Sequence, residues 1–198
     1  MKIGVLAIQG AVSEHITAVK KTISECKMSG TAIYAKEKKD IENVDALIIP
    51  GGESTTISKF ISNKKMSDII IKRASEGMPI LGTCAGSIVL AKEVSRSENM
   101  TVQPHLLKLI DVQIARNAFG RQRESFESDV EIKGFDKPFH AVFIRAPAIT
   151  KTWGNCEVLA KLGDKIVMAR QGNVLAVAFH PELTDDSRIH EMFLRMIE

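Results

Sequence analysis

The sequence of 198 residues has few aromatic residues, few cysteines and no long apolar run. Aromatic residues make up 5%, and no dense run of Lys or Arg is interleaved with them. With a net charge of only +3, this composition argues against a nucleic-acid-binding protein. No apolar stretch approaches the length that spans a bilayer, so we expect no association with a membrane.

The cysteines, Cys26, Cys84 and Cys156, are odd in number and include no Cys-x-x-Cys pair. We therefore expect no disulfide framework, and we expect the protein to work in a reducing compartment. The apolar run at residues 3–8 is too short for the core of a secretion signal and is typical of a first strand. We expect a cytoplasmic protein. No cluster of metal-ligating residues stands out, so we expect neither a metal nor another cofactor.

The first ninety or so residues alternate apolar runs with helical patterns, which predicts a doubly wound parallel sheet. Strands are predicted at residues 3–8, 31–35, 45–49 and 79–84, and Ser13 is predicted to cap the first helix. The charges at residues 36–40 have mixed signs, so this stretch is predicted to be a solvated loop or face.

The second half changes to short strands separated by turns that contain Gly or Pro, with a long strand at 106–115 and a hairpin around Gly172. These features predict antiparallel strands added to the parallel core. We therefore expect an α/β protein, a flavodoxin-like three-layer sandwich with a mostly parallel central sheet, forming one domain over residues 1–198. The apolar stripe that includes Ile189 and Phe193 predicts a final helix from about residue 184, on which we expect His190 to lie at the surface.

The sequence Gly-Thr-Cys-Ala-Gly at residues 82–86 follows the apolar run 78–81 and precedes a helical pattern at 87–93. A strand, a sharp turn flanked by Gly82 and Gly86, and a helix form the context of a nucleophile elbow, here with Cys84 in the place of the nucleophile. The start of the following helix would favour the thiolate, which is the reactive form. The alternative is a buried cysteine without a chemical role.

The sequence His-Pro-Glu at residues 180–182 offers a base for that thiol. Side chains two apart on an extended chain point to the same side, so Glu182 can orient one ring nitrogen of His180 and leave the other for Cys84. The alternative is a buried structural histidine. A thiol, a base and an orienting carboxylate predict acyl transfer through a thioester.

A thioester mechanism also needs donors for the developing oxyanion. The backbone N–H groups of Ala85 and of the turn formed by Gly51 and Gly52 are the candidates. Spacing does not choose between Gly51 and Gly52. Arg116 and Arg145 are either anchors for a substrate carboxylate or ordinary surface arginines.

Three motifs together resemble the signatures of the class I (triad) glutamine amidotransferases: Pro-Gly-Gly-Glu-Ser-Thr at 50–55, the elbow at 82–86 and His-Pro-Glu at 180–182. The stretches at 4–11, 52–56, 116–122 and 143–147 are similar to one branch of that family, the glutaminase subunit of pyridoxal 5′-phosphate synthase. The likeness runs from Met1 to the last helix. The sequence departs from the branch at Ser87, where a bulkier apolar residue is common, and is loosely matched at 95–104.

The resemblance implies hydrolysis of L-glutamine to L-glutamate and ammonia, with Cys84 as nucleophile, His180 as base and acid and Glu182 as its orienter. It also implies a partner, a (β/α)₈-barrel synthase subunit that uses the ammonia to make pyridoxal 5′-phosphate, with the loop at residues 9–10 placed to take part in docking. The residues implied for the substrate are Gly52, Glu53, Ser54, Arg116, Ile144 and Arg145, with Gly52 and Ala85 forming the oxyanion hole.

Three alternatives remain beside this prediction. A stand-alone γ-glutamyl hydrolase would use the same triad but should carry insertions that accommodate a peptide. A thiol-based sensor or chaperone on a related core needs a reactive cysteine but no His-x-Glu pair. A regulatory binding module would have a dead site, which the presence of all three triad residues argues against.

Overall fold

The computed structural model of the protein describes residues 1–63, 65–95, 103–120 and 124–197. The strands within these ranges are β1 (Lys2–Leu6), β2 (Thr31–Ala35), β3 (Ala46–Ile49), β4 (Ile80–Thr83), β5 (Ala91–Val94), β6 (Ile110–Ala115), β7 (Ser125–Val130), β8 (Phe139–Ile144), β9 (Ala148–Thr152), β10 (Glu157–Leu162), β11 (Lys165–Gln171) and β12 (Val174–Val177). The helices are α1 (Val12–Glu25), α2 (Lys38–Glu42), α3 (Ser54–Asn63), α4 (Met66–Ser75), α5 (Ala85–Leu90) and α6 (Arg188–Leu194), and a 3₁₀ turn covers Pro181–Leu183.

Most strands belong to one sheet in the order β2-β1-β3-β4-β12-β11-β9-β6-β5, with β10 paired to β11. The half from β2 to β12 is parallel throughout. Beyond it, β11 runs antiparallel to β12, to β9 and to β10, while β7 and β8 form a separate antiparallel ribbon. The predicted mixed α/β sheet, parallel at its core with antiparallel additions, is confirmed.

Both faces of the parallel half are covered by helices, because its strands are apolar on both sides. Strand β3 shows the division: Ala46 and Ile48 pack into one cluster with side chains of α1 and α6, while Leu47 and Ile49 pack into another with side chains of α3, α4 and α5. These two clusters and the sheet between them form the predicted three layers.

Several elements begin or end elsewhere than the sequence predicts. The helix after Cys84 ends at Leu90 instead of continuing to residue 93, and the chain turns into β5, which pairs with β6 from Ala91 onward. The predicted strand at 106–115 starts only at Ile110. Strand β9, which pairs with β6, is not predicted, since its partners are distant in the sequence. The hairpin around Gly172 is confirmed.

Two predictions about individual side chains are wrong, and one short stretch adopts the second of its two predicted forms. Ser13 does not cap α1, which begins at Val12 without a side-chain cap; its hydroxyl donates to Glu14 instead. The stretch at 36–40 is mostly exposed, as predicted for a solvated face, and residues 38–42 form the short helix α2, whose first turn Glu37 and Asp40 cap reciprocally. The final helix, predicted from about residue 184, starts only at Arg188. His190 is fully buried, because α6 packs against α1 and Nε2 of His190 lies 3.2 Å from Nδ1 of His15.

Residues 96–102, which include most of the loosely matched stretch at 95–104, lie outside the described residues. Within the part of the chain that is described, no helix is both long enough and apolar enough to cross a membrane.

Candidate active site

Cys84 lies at the sharp turn between β4 and α5, with a φ of 49° that non-glycine residues rarely adopt. This conformation is characteristic of a strained elbow that presents its side chain at the end of a strand. The helix can follow so closely because of Gly86, where a Cβ would lie 2.0 Å from the carbonyl oxygen of Ile49. The thiol is 7% exposed and lies 3.7 Å from the carbonyl oxygen of Ile144, to which Sγ can donate.

His180 and Glu182 follow the neighbouring strand β12. Because β12 runs parallel to β4, with Val177 beside Thr83, the residues after both strands meet at the same sheet edge. The carboxylate Oε1 of Glu182 lies 2.7 Å from Nδ1 of His180, and both residues are buried. Glu182 sits in the 3₁₀ turn and reaches back to His180, which leaves the other ring nitrogen for Cys84.

The electrostatics of His180 fit a proton donor beside Cys84. Burial alone would lower its pKa, but hydrogen bonds with Cys84 and Glu182, and the charges of both, outweigh burial and raise the pKa to about 10. At neutral pH the ring is therefore held as the imidazolium, which is the form that stabilises a neighbouring thiolate.

The turn after β3 closes over this pair. A Cβ on Gly51 would lie 2.6 Å from Cε1 of His180 and 3.2 Å from Cβ of Cys84, so the turn approaches both side chains because it has no Cβ there. On its other side, a Cβ on Gly10 would lie 1.8 Å from the carbonyl oxygen of Gly51. The backbone at Gly51 is thus packed between the triad and the loop at residues 9–10. The oxyanion role of Gly52 and Ala85 stays a prediction.

A cavity of about 330 Å³ opens above Cys84 and His180. Its size is in the range of small-molecule sites. Glu182 does not line it, since it lies behind His180. Every residue that the resemblance implies for the substrate or the oxyanion does line it: Gly52, Glu53, Ser54, Ala85, Arg116, Ile144 and Arg145.

Glu53 is engaged mainly with its own helix. Its carboxylate accepts from the backbone N–H groups of Thr55 and Thr56, at 3.0 and 2.7 Å, and from both hydroxyls. Burial alone would raise its pKa, but these hydrogen bonds lower it to about 2. Nη2 of Arg116 lies 3.4 Å from Oε1 of Glu53, so Glu53 also holds the Arg116 guanidinium at the cavity wall.

Two further polar groups of the cavity suit a small polar ligand. The hydroxyl of Ser54 is buried at the cavity wall and has no hydrogen-bond partner among the described residues. Arg145 is exposed and has a φ of 42°, which turns the chain after β8 at the mouth of the cavity.

The loop that carries Arg116 is anchored by Phe119, whose ring packs against Phe126 and Phe143 with centroids 5.1 and 5.5 Å apart. The backbone N–H of Ala118 donates to the carbonyl of Ala146 at 3.0 Å, which joins this loop to the stretch at 143–147. The two motifs that single out the branch therefore contact each other. Residues 121–122 of the first lie outside the described residues.

Comparison with known proteins decides the family. A family model described as the SNO glutamine amidotransferase family matches residues 5–198. The chain belongs to the SNO glutamine amidotransferase family. Its predicted membership in the branch of glutaminase subunits is thereby confirmed.

Relatives of this family match the chain over nearly their full lengths. The chain is 50% identical to the pyridoxal 5′-phosphate synthase subunit PdxT of Methanosarcina barkeri, over 100% of this chain and 98% of the relative. It is 48% identical to the PdxT subunit of Archaeoglobus fulgidus, over 100% of this chain and 99% of the relative. A crystal structure of a glutamine amidotransferase superposes with a TM-score of 0.85 at 45% identity, covering 98% of both chains.

Sequence reasoning missed a group of buried polar residues behind this SNO-family site. His15, Thr83 and His190 lie beyond Glu182, away from the cavity. The sequence carries no spacing signal for them, because His15 is 68 residues from Thr83 and 175 residues from His190. Among the described residues, no three of His, Cys, Asp and Glu are grouped so that they could hold a metal ion.

Proposed function

We propose that this chain is the glutaminase subunit of a pyridoxal 5′-phosphate synthase. It hydrolyses L-glutamine to L-glutamate and ammonia and supplies the ammonia to a synthase subunit. The observation that carries the proposal is that Cys84 and His180, with Glu182 behind His180, lie at a cavity whose walls are the motifs of the branch. Full-length similarity to PdxT subunits supports it.

In the first half of the proposed reaction, the Cys84 thiolate attacks the γ-carboxamide carbon of glutamine. The oxyanion that forms is stabilised by the backbone N–H groups of Gly52 and Ala85. His180 then gives its proton to the departing nitrogen, so the C–N bond breaks, ammonia leaves and a γ-glutamyl thioester remains on Cys84.

In the second half, His180 is neutral and takes a proton from water, which attacks the thioester carbon. The C–S bond breaks, glutamate leaves, and Cys84 and His180 return to the thiolate and the imidazolium. Glu182 accepts from Nδ1 of His180 throughout and keeps the other ring nitrogen directed at Cys84. Ser54, Arg116, Ile144 and Arg145 bind glutamine at the cavity wall.

The proposal includes the partner and the location. The synthase subunit is a (β/α)₈ barrel that docks over the cavity mouth, near residues 9–10. The protein works in the cytoplasm, in keeping with its free thiols at Cys26, Cys84 and Cys156.

The test is release of ammonia from glutamine by Cys84→Ala, measured in the presence of the synthase subunit. The expected loss in kcat is at least about 1,000-fold, since no other group takes over as nucleophile. Cys26→Ala is the matched control, because Cys26 is an unpaired cysteine just after α1 that does not line the cavity, and it should keep wild-type kcat. Equal activity of Cys84→Ala and Cys26→Ala would contradict the mechanism.

A further inference from the structure

A row of buried polar side chains continues from Glu182 away from the cavity. Nε2 of His15, on α1, lies 3.3 Å from Oε2 of Glu182 and 3.1 Å from the hydroxyl oxygen of Thr83. Nδ1 of His15 lies 3.2 Å from Nε2 of His190, on α6. Both histidines are 0% exposed, and the proposed reaction uses neither of them.

The two oxygens of Glu182 differ in their contacts with the described residues. Oε1 is taken by His180, whereas Oε2 is buried and makes no hydrogen bond of good geometry with the described residues. His15 Nε2 is the group within ion-pair distance of Oε2. A buried carboxylate oxygen left without a donor is costly, so the protonation of His15 decides whether this contact is attractive.

The contacts favour one arrangement of protons on the two rings. A proton on Nε2 of His15 would face both the hydroxyl oxygen of Thr83 and the carboxylate of Glu182, whereas a lone pair there would be repelled by the carboxylate. The tautomer with the proton on Nε2 therefore fits both contacts. Nδ1 of His15 is then bare and accepts from Nε2–H of His190. This leaves Nδ1 of His190 as a bare acceptor, in agreement with its lack of a partner among the described residues.

Both histidines act as neutral rings. Burial, followed by the charges of His190 and His180, holds the pKa of His15 well below its usual 6.5. Burial lowers the pKa of His190 to about 4. The titratable groups that face His15 are Glu182, His180 and His190, while Glu14, Lys21 and Asp185 line, with Glu182, a separate cavity of about 300 Å³ on the outer side.

We propose that His15 is a positioning residue for the triad: its Nε2–H restrains the second oxygen of Glu182, and His190 holds His15 in the tautomer that can do so. The proposal rests on the proposed function, because it assumes that Cys84, His180 and Glu182 act together. Nε2 of His15 lies 3.3 Å from Oε2 and Nδ1 of His180 lies 2.7 Å from Oε1, so rotation of the carboxylate would break a contact at each oxygen. The ring of His180 therefore stays directed at Cys84.

Two variants that differ by one methylene separate this role from simple packing. The amide nitrogen of His15→Gln reaches the position of Nε2 and can still donate to Glu182. The amide of His15→Asn stops near the position of Nδ1 and loses Glu182. Thr22→Val is the control, since Thr22 is fully buried on the same helix and its hydroxyl donates only to the carbonyl of Ala18.

The main readout is the rate at which iodoacetamide alkylates Cys84, followed on its own peptide by mass spectrometry as a function of pH. It is combined with kcat and KM for glutamine in the presence of the synthase subunit. In His15→Asn we expect both the alkylation rate at pH 7 and kcat to fall about tenfold, with KM nearly unchanged. In His15→Gln both the alkylation rate and kcat should stay within about threefold of the wild-type values. In Thr22→Val both should equal the wild-type values.

The proposal would be overturned if folded His15→Asn showed the same dependence of the alkylation rate on pH as the wild type. It would also be overturned if Thr22→Val lost as much alkylation rate and kcat as His15→Asn. If His15→Asn does not fold, His190→Leu replaces it. That variant keeps His15 but removes the donor to its Nδ1, and an unchanged profile there would equally overturn the proposal. Alkylation needs no glutamine, so absence of ammonia release by the wild type would contradict the proposed function and leave this test of His15 intact.

Discussion

At the scale of single residues, the central group is the His180 ring. It contacts the thiol of Cys84 on one side and the carboxylate of Glu182 on the other, and the backbone of Gly51 packs against the ring. The carboxylate and the thiol raise its pKa to about 10, although burial works in the opposite direction. A small displacement of this ring would therefore weaken both the ion pair and the proton transfer.

Gly51→Ala tests how closely the ring is held. The new Cβ would lie 2.6 Å from Cε1 of His180, so the ring has to move, and we expect kcat for glutamine to fall about 10- to 100-fold. Gly163→Ala is the control: its φ is +60° with no atom within 4 Å of the added Cβ. It should cost about 1 kcal/mol in the free energy of unfolding and leave kcat unchanged. Wild-type kcat in Gly51→Ala would show that the turn does not confine His180.

At the scale of elements, the elbow depends on how closely α5 approaches β3 and β4. The Cβ position of Gly86 is 2.0 Å from the carbonyl oxygen of Ile49, a backbone atom that cannot move by itself. The sequence predicts this elbow, because the apolar run, the flanking glycines and the helical pattern are all local. It does not predict that the helix ends at Leu90, since that depends on the pairing of β5 with β6.

Gly86→Ala should therefore affect stability through the contact between α5 and β3. We expect the free energy of unfolding to fall by about 1–3 kcal/mol or more, because the added methyl group forces α5 away from the sheet. Denaturant titration measures this directly. A loss below about 0.5 kcal/mol would mean that the helix can shift without cost and that the close approach is incidental.

At the scale of the whole molecule, parallel strand order brings distant residues to one sheet edge. The ends of β3, β4 and β12 carry Gly51, Cys84 and His180, and the pairing of β4 with both neighbours sets them side by side. For β3 and β4 this follows from the sequence, since apolar runs followed by glycine turns predict parallel strands with ligands at their carboxyl ends. For β12 it does not, because the sequence groups residues 174–179 with the antiparallel strands, whereas β12 pairs in parallel with β4. The placement of His15 and His190 does not follow from the sequence either, because it depends on how α1 and α6 pack together behind the sheet.

The packing of the whole molecule explains why His190 is buried, although the sequence predicts it at the surface. Local pattern places it on an amphipathic helix, where a polar residue beside an apolar stripe usually faces water. In the folded molecule α1 supplies a partner from 175 positions earlier in the chain, and the ring is buried against it. Pairing of this kind over a long sequence separation has no counterpart in spacing or composition.

The most direct test of the central claim is covalent trapping of the nucleophile with a diazoketone analogue of glutamine, in which the diazo carbon takes the place of the amide nitrogen. Once this carbon is protonated, a thiolate beside it displaces dinitrogen and forms a stable thioether. We predict one modification, on the peptide that contains Cys84, with loss of glutaminase activity in parallel and protection by excess L-glutamine. Modification of Cys26 or Cys156 instead, or inactivation without modification of Cys84, would contradict the account.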